Sequence, residues 1–279
     1  MPKAADCGRD PSVKRLEGVS ALISGGASGV GRATAHRFAE EGAARITLFD
    51  QDASRIADVA DVAAELAGIG TEPRTVVGDV ANPPDCQRAV DEAVRGDGRL
   101  DVLVSNAGAD SIHDFLELEL DEWYRIMDIN LTASFVLGQA AARAMVAAGN
   151  GGTILYTASI SGVAASTGDA HYGVSKAGII SLVKTMAIEL VGHNITVNCV
   201  SPGPLDTPMS LALLGSEEAM QAARESWPIV PMNRLGSPTE IAGTYAYLAS
   251  ADGAYTTGQN IIVDGGMTTN VFPVADELQ

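Results

Sequence analysis

Tyr172 and Lys176 stand four positions apart in "HYGVSK", residues 171–176. On a helix, that spacing puts both side chains on one face. A free tyrosine ionises near pH ~10, too high for a base at neutral pH. An ammonium one turn away favours the phenolate and lowers that value. Such a pair can take or give a proton at a substrate oxygen. The same spacing also occurs on ordinary helices, so the rest of the chain has to supply the context.

A second chemical signal is "SGGASGVG", running Ser24, Gly25, Gly26, Ala27, Ser28, Gly29, Val30, Gly31. It follows an apolar run directly and opens a helical stretch. Glycines there permit a tight turn and close approach of a diphosphate, and the helix N-terminus offers N–H groups and a positive dipole end. The glycine spacing is G-x-x-x-G-x-G rather than the common G-x-G-x-x-G fingerprint. The second apolar run ends at Asp50, nineteen positions after Gly31. A carboxylate at that point accepts the hydroxyls of an adenosine ribose and repels a 2′-phosphate. Ser28 occupies the place where a cation would meet that phosphate, and no Lys or Arg immediately follows Asp50. The cofactor expected is NAD rather than NADP.

These residues need elements to hold them. Seven short, β-branched, nearly continuous apolar runs recur: "VSALIS" (19–24), "RITLFD" (45–50), "PRTVVGD" (73–79), "LDVLVSN" (100–106), "GTILYTAS" (152–159), "ITVNCVS" (195–201) and "NIIVDG" (260–265). Runs of this kind suit strands buried on both faces of a parallel sheet. Longer amphipathic stretches such as "GRATAHRFAEEG" alternate with them, which implies βαβ units and a doubly wound α/β sheet with helices on both faces. No linker or composition break divides the chain. The expected organisation is a loose leader over 1–17, one domain over 18–266 and a tail over 267–279.

Composition narrows the function classes. The chain has 279 residues, 46% of them hydrophobic, and a net charge of −17. Nucleic-acid binding needs clustered Lys and Arg, so nucleic acid is not an expected partner, nor is an anionic membrane surface. Cys7, Cys86 and Cys199 are too few and too scattered for a disulfide framework or a zinc site, and no metal is expected. The N-terminus carries no apolar signal segment, and no run approaches the roughly 18 apolar residues of a membrane span. A cytoplasmic location is the expectation.

Between Pro202 and Pro238 the strand rhythm stops. The excursion over 203–237 is proline-rich at both ends and helical between, as a lid over a pocket often is. Its aliphatic stretch Leu205–Leu214, with Met209 and Trp227, is expected to cover an apolar substrate. His113, soon after "SNAG", and Ser161 are further candidates for the substrate pocket. His171 points about 100° away from Tyr172 on a helix, so it is expected to pack or to form an interface.

Taken together, these motifs resemble the short-chain dehydrogenases/reductases, in their single-domain branch of about 250 residues. The resemblance spans about residues 18–266 and implies a Rossmann sheet. It implies a cofactor site in which "SGGASGVG" forms the phosphate turn, with Ser24 where threonine is usual. Asp79 and Val80 of "GDV" would meet the adenine. Asn106, Ala107 and Gly108 of "SNAG" would line the cofactor, with Ser105 replacing a first asparagine. Pro202, Gly203, Leu205 and Thr207 of "SPGPLDTPM" would hold the nicotinamide. The implied catalytic set is Asn130, Ser159, Tyr172 and Lys176. Tyr172 would be the acid/base and Ser159 a donor to the substrate oxygen. Lys176 would lower the tyrosine pKa and bond the ribose, and Asn130 would hold a water on a proton path to Lys176. The family also implies a homotetramer. The apolar tail residues Val271, Phe272 and Val274 are expected to pack across a subunit interface, since an exposed apolar tail finds a partner surface.

The activity implied is NAD(H)-dependent interconversion of a small secondary alcohol and a ketone. One alternative is an NADPH-dependent 3-ketoacyl-carrier-protein reductase, which Asp50 and the acidic surface disfavour, since a carrier protein is itself acidic. Another is a non-catalytic nucleotide-binding regulator on the same fold. The intact Asn130, Ser159, Tyr172 and Lys176 disfavour that reading.

Overall fold

In the computed structural model, which describes residues 14–51 and 56–269, seven parallel strands form one sheet in the order β3-β2-β1-β4-β5-β6-β7. The strands are β1 (Ser20–Ser24), β2 (Arg45–Asp50), β3 (Glu72–Val77), β4 (Val102–Ser105), β5 (Gly152–Thr157), β6 (Ile195–Pro202) and β7 (Asn260–Val263). Each falls within or beside one of the seven apolar runs. Residues of β1 and β4 are buried throughout, as their unbroken apolar character requires of central strands covered on both faces.

Helices cover the two faces as separate layers. On one face lie α1 (Gly29–Glu40), α2 (Ile56–Ile69) and the later α9 (Pro238–Ala249), packed over Ile23, Ile46, Leu48 and Val104. On the other lie α3 (Pro83–Val94), α5 (Ala133–Ala148) and α6 (Ala170–Leu190), packed over Leu22, Leu103, Ile154 and Val197. The start of α9 is fixed by a capping box between Ser237 and Glu240, with Pro238 as the first helical residue.

The helix α4 (Leu120–Met127) runs into α5 through one π-helical segment, Asp128–Thr132. The continuous run Leu120–Ala148 is long and apolar enough to cross a membrane by length and composition, with a mean hydropathy of 1.3. Here Leu137, Ala141 and Met145 are buried in the core against the sheet, which accounts for that apolar character. The excursion after β6 folds into α7 (Pro208–Leu214) and α8 (Glu217–Glu225), with an isolated bridge between Leu205 and Gly236.

One boundary differs from the sequence reading. Lys14–Glu17, assigned to the leader, belong to the folded unit: Leu16 is fully buried, its N–H bonds the Glu41 carbonyl, and Arg15 pairs with the Glu41 carboxylate. The apolar tail residues Val271, Phe272 and Val274 lie outside the described residues, as does most of the leader.

Candidate active site

The order of the sheet reverses between β1 and β4. In such sheets the crevice beyond the carboxyl ends of the strands is where ligands bind. A cavity of about 520 Å³ opens there.

One end of the cavity is the glycine turn. Gly25 and Gly29 adopt φ values of +67° and +51°, which only glycine takes without strain. A side chain at Gly25 would run into Asn106, and one at Gly31 would collide with the Gly25 carbonyl. The turn is therefore a close backbone approach that side chains would fill. The first turn of α1 holds no acidic residue, so its positive dipole end is open to an anion. Ser24 takes the role of a clamp: its Oγ accepts from the N–H groups of Asn106 (3.0 Å) and Ala107 (3.1 Å), tying the end of β1 to the end of β4. Asn106 completes the tie, donating to the Ser24 carbonyl at 3.2 Å and accepting from the Thr157 hydroxyl at 3.0 Å. The serine hydroxyl supplies these bonds where the family usually has threonine.

Asp50 closes β2 and is only 7% exposed. Its two oxygens accept from the N–H groups of Ala27 (3.0 Å) and Gln51 (2.9 Å), so the acid is anchored to the glycine turn. Asp50 and Gln51 both line the cavity, and the only Lys and Arg among its described lining residues are Lys176 and Arg125. Both are committed elsewhere, Lys176 to the Thr157 carbonyl and Arg125 to Glu122. Val80, Ala107, Gly108, Pro202, Gly203, Leu205 and Thr207 line the same cavity. Asp79 does not: it receives no place in the wall, and its Oδ1 accepts from Ala81 N–H at 2.9 Å.

The other end of the cavity gathers Ser159, Tyr172 and Lys176 with Ser161, Ser166 and Met209. Tyr172 and Lys176 share a face of α6, and the ammonium stands 5.3 Å from the centre of the tyrosine ring. Lys176 Nζ donates to the Thr157 carbonyl at 2.9 Å. Burial pulls the Lys176 pKa down to about 8, against an opposing pull from Asp110. The sequence alone led to a lowered tyrosine pKa. In the structure burial raises the Tyr172 pKa, the charges of Asp110 and Asp169 add to the rise, and a hydrogen bond with Ser159 works against it. The protein without a cofactor cation thus holds Tyr172 as the neutral phenol.

Asn130 sits fully buried in the π-helical segment, the kind of local widening that recurs at functional sites. Its side chain grips Ala109: Oδ1 accepts from the N–H at 2.9 Å and Nδ2 donates to the carbonyl at 2.9 Å. Nδ2 also donates to Ser175 Oγ at 3.1 Å. The polar atoms of this side chain are spent on holding the loop after β4 against α6.

Two pocket candidates lie elsewhere. Trp227 packs against the small cluster of Met220, Ala223 and Leu235 behind the excursion, because α7 and α8 bury their apolar faces on each other. His113 turns away from the cavity. Its N–H bonds the Gly168 carbonyl at 3.1 Å, and its ring meets His171 edge-on at 5.8 Å between centroids. His113, Glu122 and His171 bring ligand atoms within 4.8 Å of one another. Glu122 is held by Arg125 Nε and Nη2 and by Ser111. That ion pair keeps the Glu122 pKa down at about 2. His171 is fully buried, with Nε2 2.9 Å from Ser111 Oγ.

Sequence reasoning missed one wall residue of consequence, Asp110. It follows "SNAG" by two positions and lines the cavity beside Ser159, Tyr172 and Lys176. Burial pushes its pKa up to about 6, and the neighbouring Asp169 adds to the rise. Attention to carboxylates as well as histidines in the loop after the fourth strand would have found it.

A doubly wound sheet, a phosphate turn at its switch point and a tyrosine–lysine pair in the same crevice define a nicotinamide-dependent oxidoreductase site. The chain belongs to the short-chain dehydrogenase/reductase family. A family model described as enoyl-(acyl carrier protein) reductase matches residues 25–268. L-rhamnose 1-dehydrogenase (NAD(P)(+)) of a Sphingomonas species is 37% identical over 260 residues, covering 93% of this chain and all of that protein. The 3-oxoacyl-[acyl-carrier-protein] reductase of Thermotoga maritima is 36% identical, covering 91% of this chain and 99% of its own. Among solved structures, a short-chain type dehydrogenase/reductase from Mycobacterium marinum superposes with a TM-score of 0.84 at 38% identity, covering 92% of this chain and 98% of that one.

Proposed function

We propose that this protein is an NAD(H)-dependent oxidoreductase that interconverts a secondary alcohol and a ketone, with Tyr172 as acid/base. The observation that carries the reading is one cavity shared by Asp50 and the glycine turn at one end and by Ser159, Tyr172 and Lys176 at the other. The glycine turn, Asp50, Val80, Asn106 to Gly108 and the Pro202–Thr207 segment are the residues that would hold NAD. When bound, NAD supplies the hydride acceptor and, in its oxidised form, a positive charge.

The chain's own residues handle the oxygen. Ser159 donates a hydrogen bond to the substrate oxygen and stabilises charge developing there. Tyr172 accepts the hydroxyl proton during oxidation and returns it during reduction. Its pKa has to fall for the first task, and Lys176 together with the cofactor's positive charge supplies the drop. Asn130 holds the loop that forms the wall beside them. Met209 and Leu213 give that wall an apolar part.

Asp50 supports NAD over NADP, because a second anion there would face the carboxylate. NAD as the cofactor leans the physiological direction towards oxidation. The likeness to the Thermotoga reductase supports a second reading, reduction of a 3-oxoacyl thioester with NADPH. The net charge of −17 weighs against docking an acidic carrier. A homotetramer in the cytoplasm completes the proposal. The assembly is supported by the exposed apolar residues Leu120, Tyr124, Phe135 and Val146 along α4 and α5, and by Ile188 on α6.

The test is a panel of secondary alcohols with NAD+ or NADP+, followed by absorbance of the reduced nicotinamide, with ketones and NADH in reverse. Turnover with NAD(H) is expected. Turnover confined to 3-oxoacyl thioesters with NADPH would overturn the reading in favour of the second.

A further inference from the structure

Two carboxyl groups from distant parts of the chain bear on Tyr172, and the proton chemistry above gives them no task. Asp110 lies on the loop after β4 and lines the cavity. Asp169 is the N-cap of α6, three residues before Tyr172, yet its side chain makes no capping bond to its own helix. It is 8% exposed, and its Oδ1 is buried with no partner. An N-cap aspartate normally stabilises its helix by accepting from the first-turn N–H groups. Here the side chain leaves its own helix uncapped, and its charge bears on Asp110.

The pair is held in place from three sides. Asn130 grips both backbone groups of Ala109. Ser111 N–H donates to Asp110 Oδ1 at 2.8 Å. The bond from His113 N–H to the Gly168 carbonyl at 3.1 Å ties the Asp110 loop to the turn that carries Asp169. A cluster fixed this firmly is preorganised to recognise a group rather than to solvate itself.

A simple secondary alcohol has one oxygen, and Ser159 and Tyr172 take it. Its alkyl groups would then lie against Asp110 and strip water from a carboxyl without replacing the lost hydrogen bonds, which costs free energy. A second hydroxyl on the substrate can hydrogen-bond the Asp110 carboxyl on the cavity wall, repairing that loss. An anionic substituent at the same place would be repelled.

We propose that Asp110, backed by Asp169, is a specificity residue that binds a second hydroxyl group of the substrate, so that the substrate class is an uncharged diol or polyol and its hydroxyketone product. This rests on the oxidoreductase reading above. It places the enzyme after a reaction that makes a hydroxylated, uncharged carbon chain and before one that consumes a hydroxyketone.

The experiment compares matched pairs with NAD+: butane-2,3-diol against butan-2-ol, cyclohexane-1,2-diol against cyclohexanol, and pentane-2,4-diol against pentan-2-ol. The ratio of kcat/KM within each pair is read for the native protein, Asp110→Ala and the near-isosteric Asp110→Asn. NADH binding is measured separately by fluorescence. A site built around a hydroxyl rejects the analogue lacking it strongly, so a diol should win by at least about 100-fold in one pair. Asp110→Ala should bring that ratio to within a few-fold of unity, and Asp110→Asn should give an intermediate ratio. If Asp110→Ala does not fold, a fall of the ratio in Asp110→Asn supports the proposal in its place, and an unchanged ratio there overturns it. Equal losses on both members of a pair would make Asp110 a structural residue and overturn the proposal. So would NADH binding without diol preference in any pair, which leaves the cofactor reading standing. Absence of NADH binding overturns the oxidoreductase reading itself, and this proposal with it.

Discussion

Asn130 holds Ala109 by both of its backbone groups, accepting from the N–H at 2.9 Å and donating to the carbonyl at 2.9 Å. The residue next in line is Asp110, on the cavity wall. A fully buried asparagine in a π-helical segment thereby sets the position of a wall residue twenty positions earlier in the chain. Asn130→Ala leaves the Ala109 N–H and carbonyl without their partner. Each unsatisfied buried group costs about 1–3 kcal/mol, so chemical denaturation should show a loss of at least about 2 kcal/mol. Asn130→Asp should lose more, because it sets a charged acceptor against the Ala109 carbonyl in a buried site. A loss below about 0.5 kcal/mol in both variants would show that the grip on Ala109 is incidental.

The strands were legible because buried parallel strands are nearly unbroken apolar runs. Their ends were less so: the run "LDVLVSN" covers 100–106, whereas β4 is Val102–Ser105, because apolar character continues where the ladder stops. Tyr172 and Lys176 were visible as a pair because four residues make one helical turn. The environment of that pair was not. Asp110 and Asp169 are far apart in sequence, and the backbone bond from His113 to Gly168 ties their loops together. Local spacing pointed to the lysine and hid the burial and the two carboxylates that raise the Tyr172 pKa. His113 drew attention as a chemically versatile side chain, but that same backbone bond accompanies its turn towards His171 and Glu122.

Asp50 should set the cofactor preference. NAD(H) is expected to exceed NADP(H) by more than about tenfold in kcat/KM, given a carboxylate where a 2′-phosphate would sit. Asp50→Asn removes the charge but keeps an acceptor for Ala27 N–H, and should erode the preference with little effect on folding. Asp50→Ala should erode it too and also lower the melting temperature, because the glycine turn loses that bond. A native preference for NADP(H) would contradict the assignment of Asp50.

Tyr172→Phe removes one hydroxyl and should fold and bind NADH as the native protein does. Turnover should fall by about 10²- to 10⁴-fold, the usual contribution of a positioned proton-transfer group. Lys176→Met should lower turnover and NADH affinity together. The raised pKa of Tyr172 adds a second readout. Without cofactor, its ionisation in ultraviolet difference titration should lie above the free-tyrosine value of about 10. The pH profile of the oxidation rate should instead rise through an ionisation below about 10. A folded Tyr172→Phe with more than about a tenth of native turnover would place the proton on another group.

Light scattering at micromolar concentration should give the mass of four chains. The exposed Leu120, Tyr124 and Phe135 lie close together in sequence along α4 and α5, and apolar faces of this kind mark association surfaces. Phe135→Glu should shift the mass towards smaller species while circular dichroism stays the same. A native monomer would remove the proposed assembly.

Asp110 should make folding stability depend on pH in a direction opposite to that of most carboxylates. Its folded pKa is raised to about 6 by burial and by Asp169, whereas an unfolded aspartate titrates near ~3.9. Between those values the folded state binds the extra proton, so stability falls as pH rises. The contribution is complete below pH ~4 and lost once pH passes about 6. Asp110→Asn cannot ionise and should be free of that loss. The melting temperature of the variant minus that of the native protein should therefore be larger at pH 7.5 than at pH 4.5. Asp110 is only partly buried, so solvent screening reduces the effect to about 1 kcal/mol. For a domain of this size that corresponds to about 2–4 °C. Using the difference cancels the titration of every other carboxylate common to both proteins. A difference that stays constant across this range, or reverses sign, would show that Asp110 is ionised at neutral pH without cost.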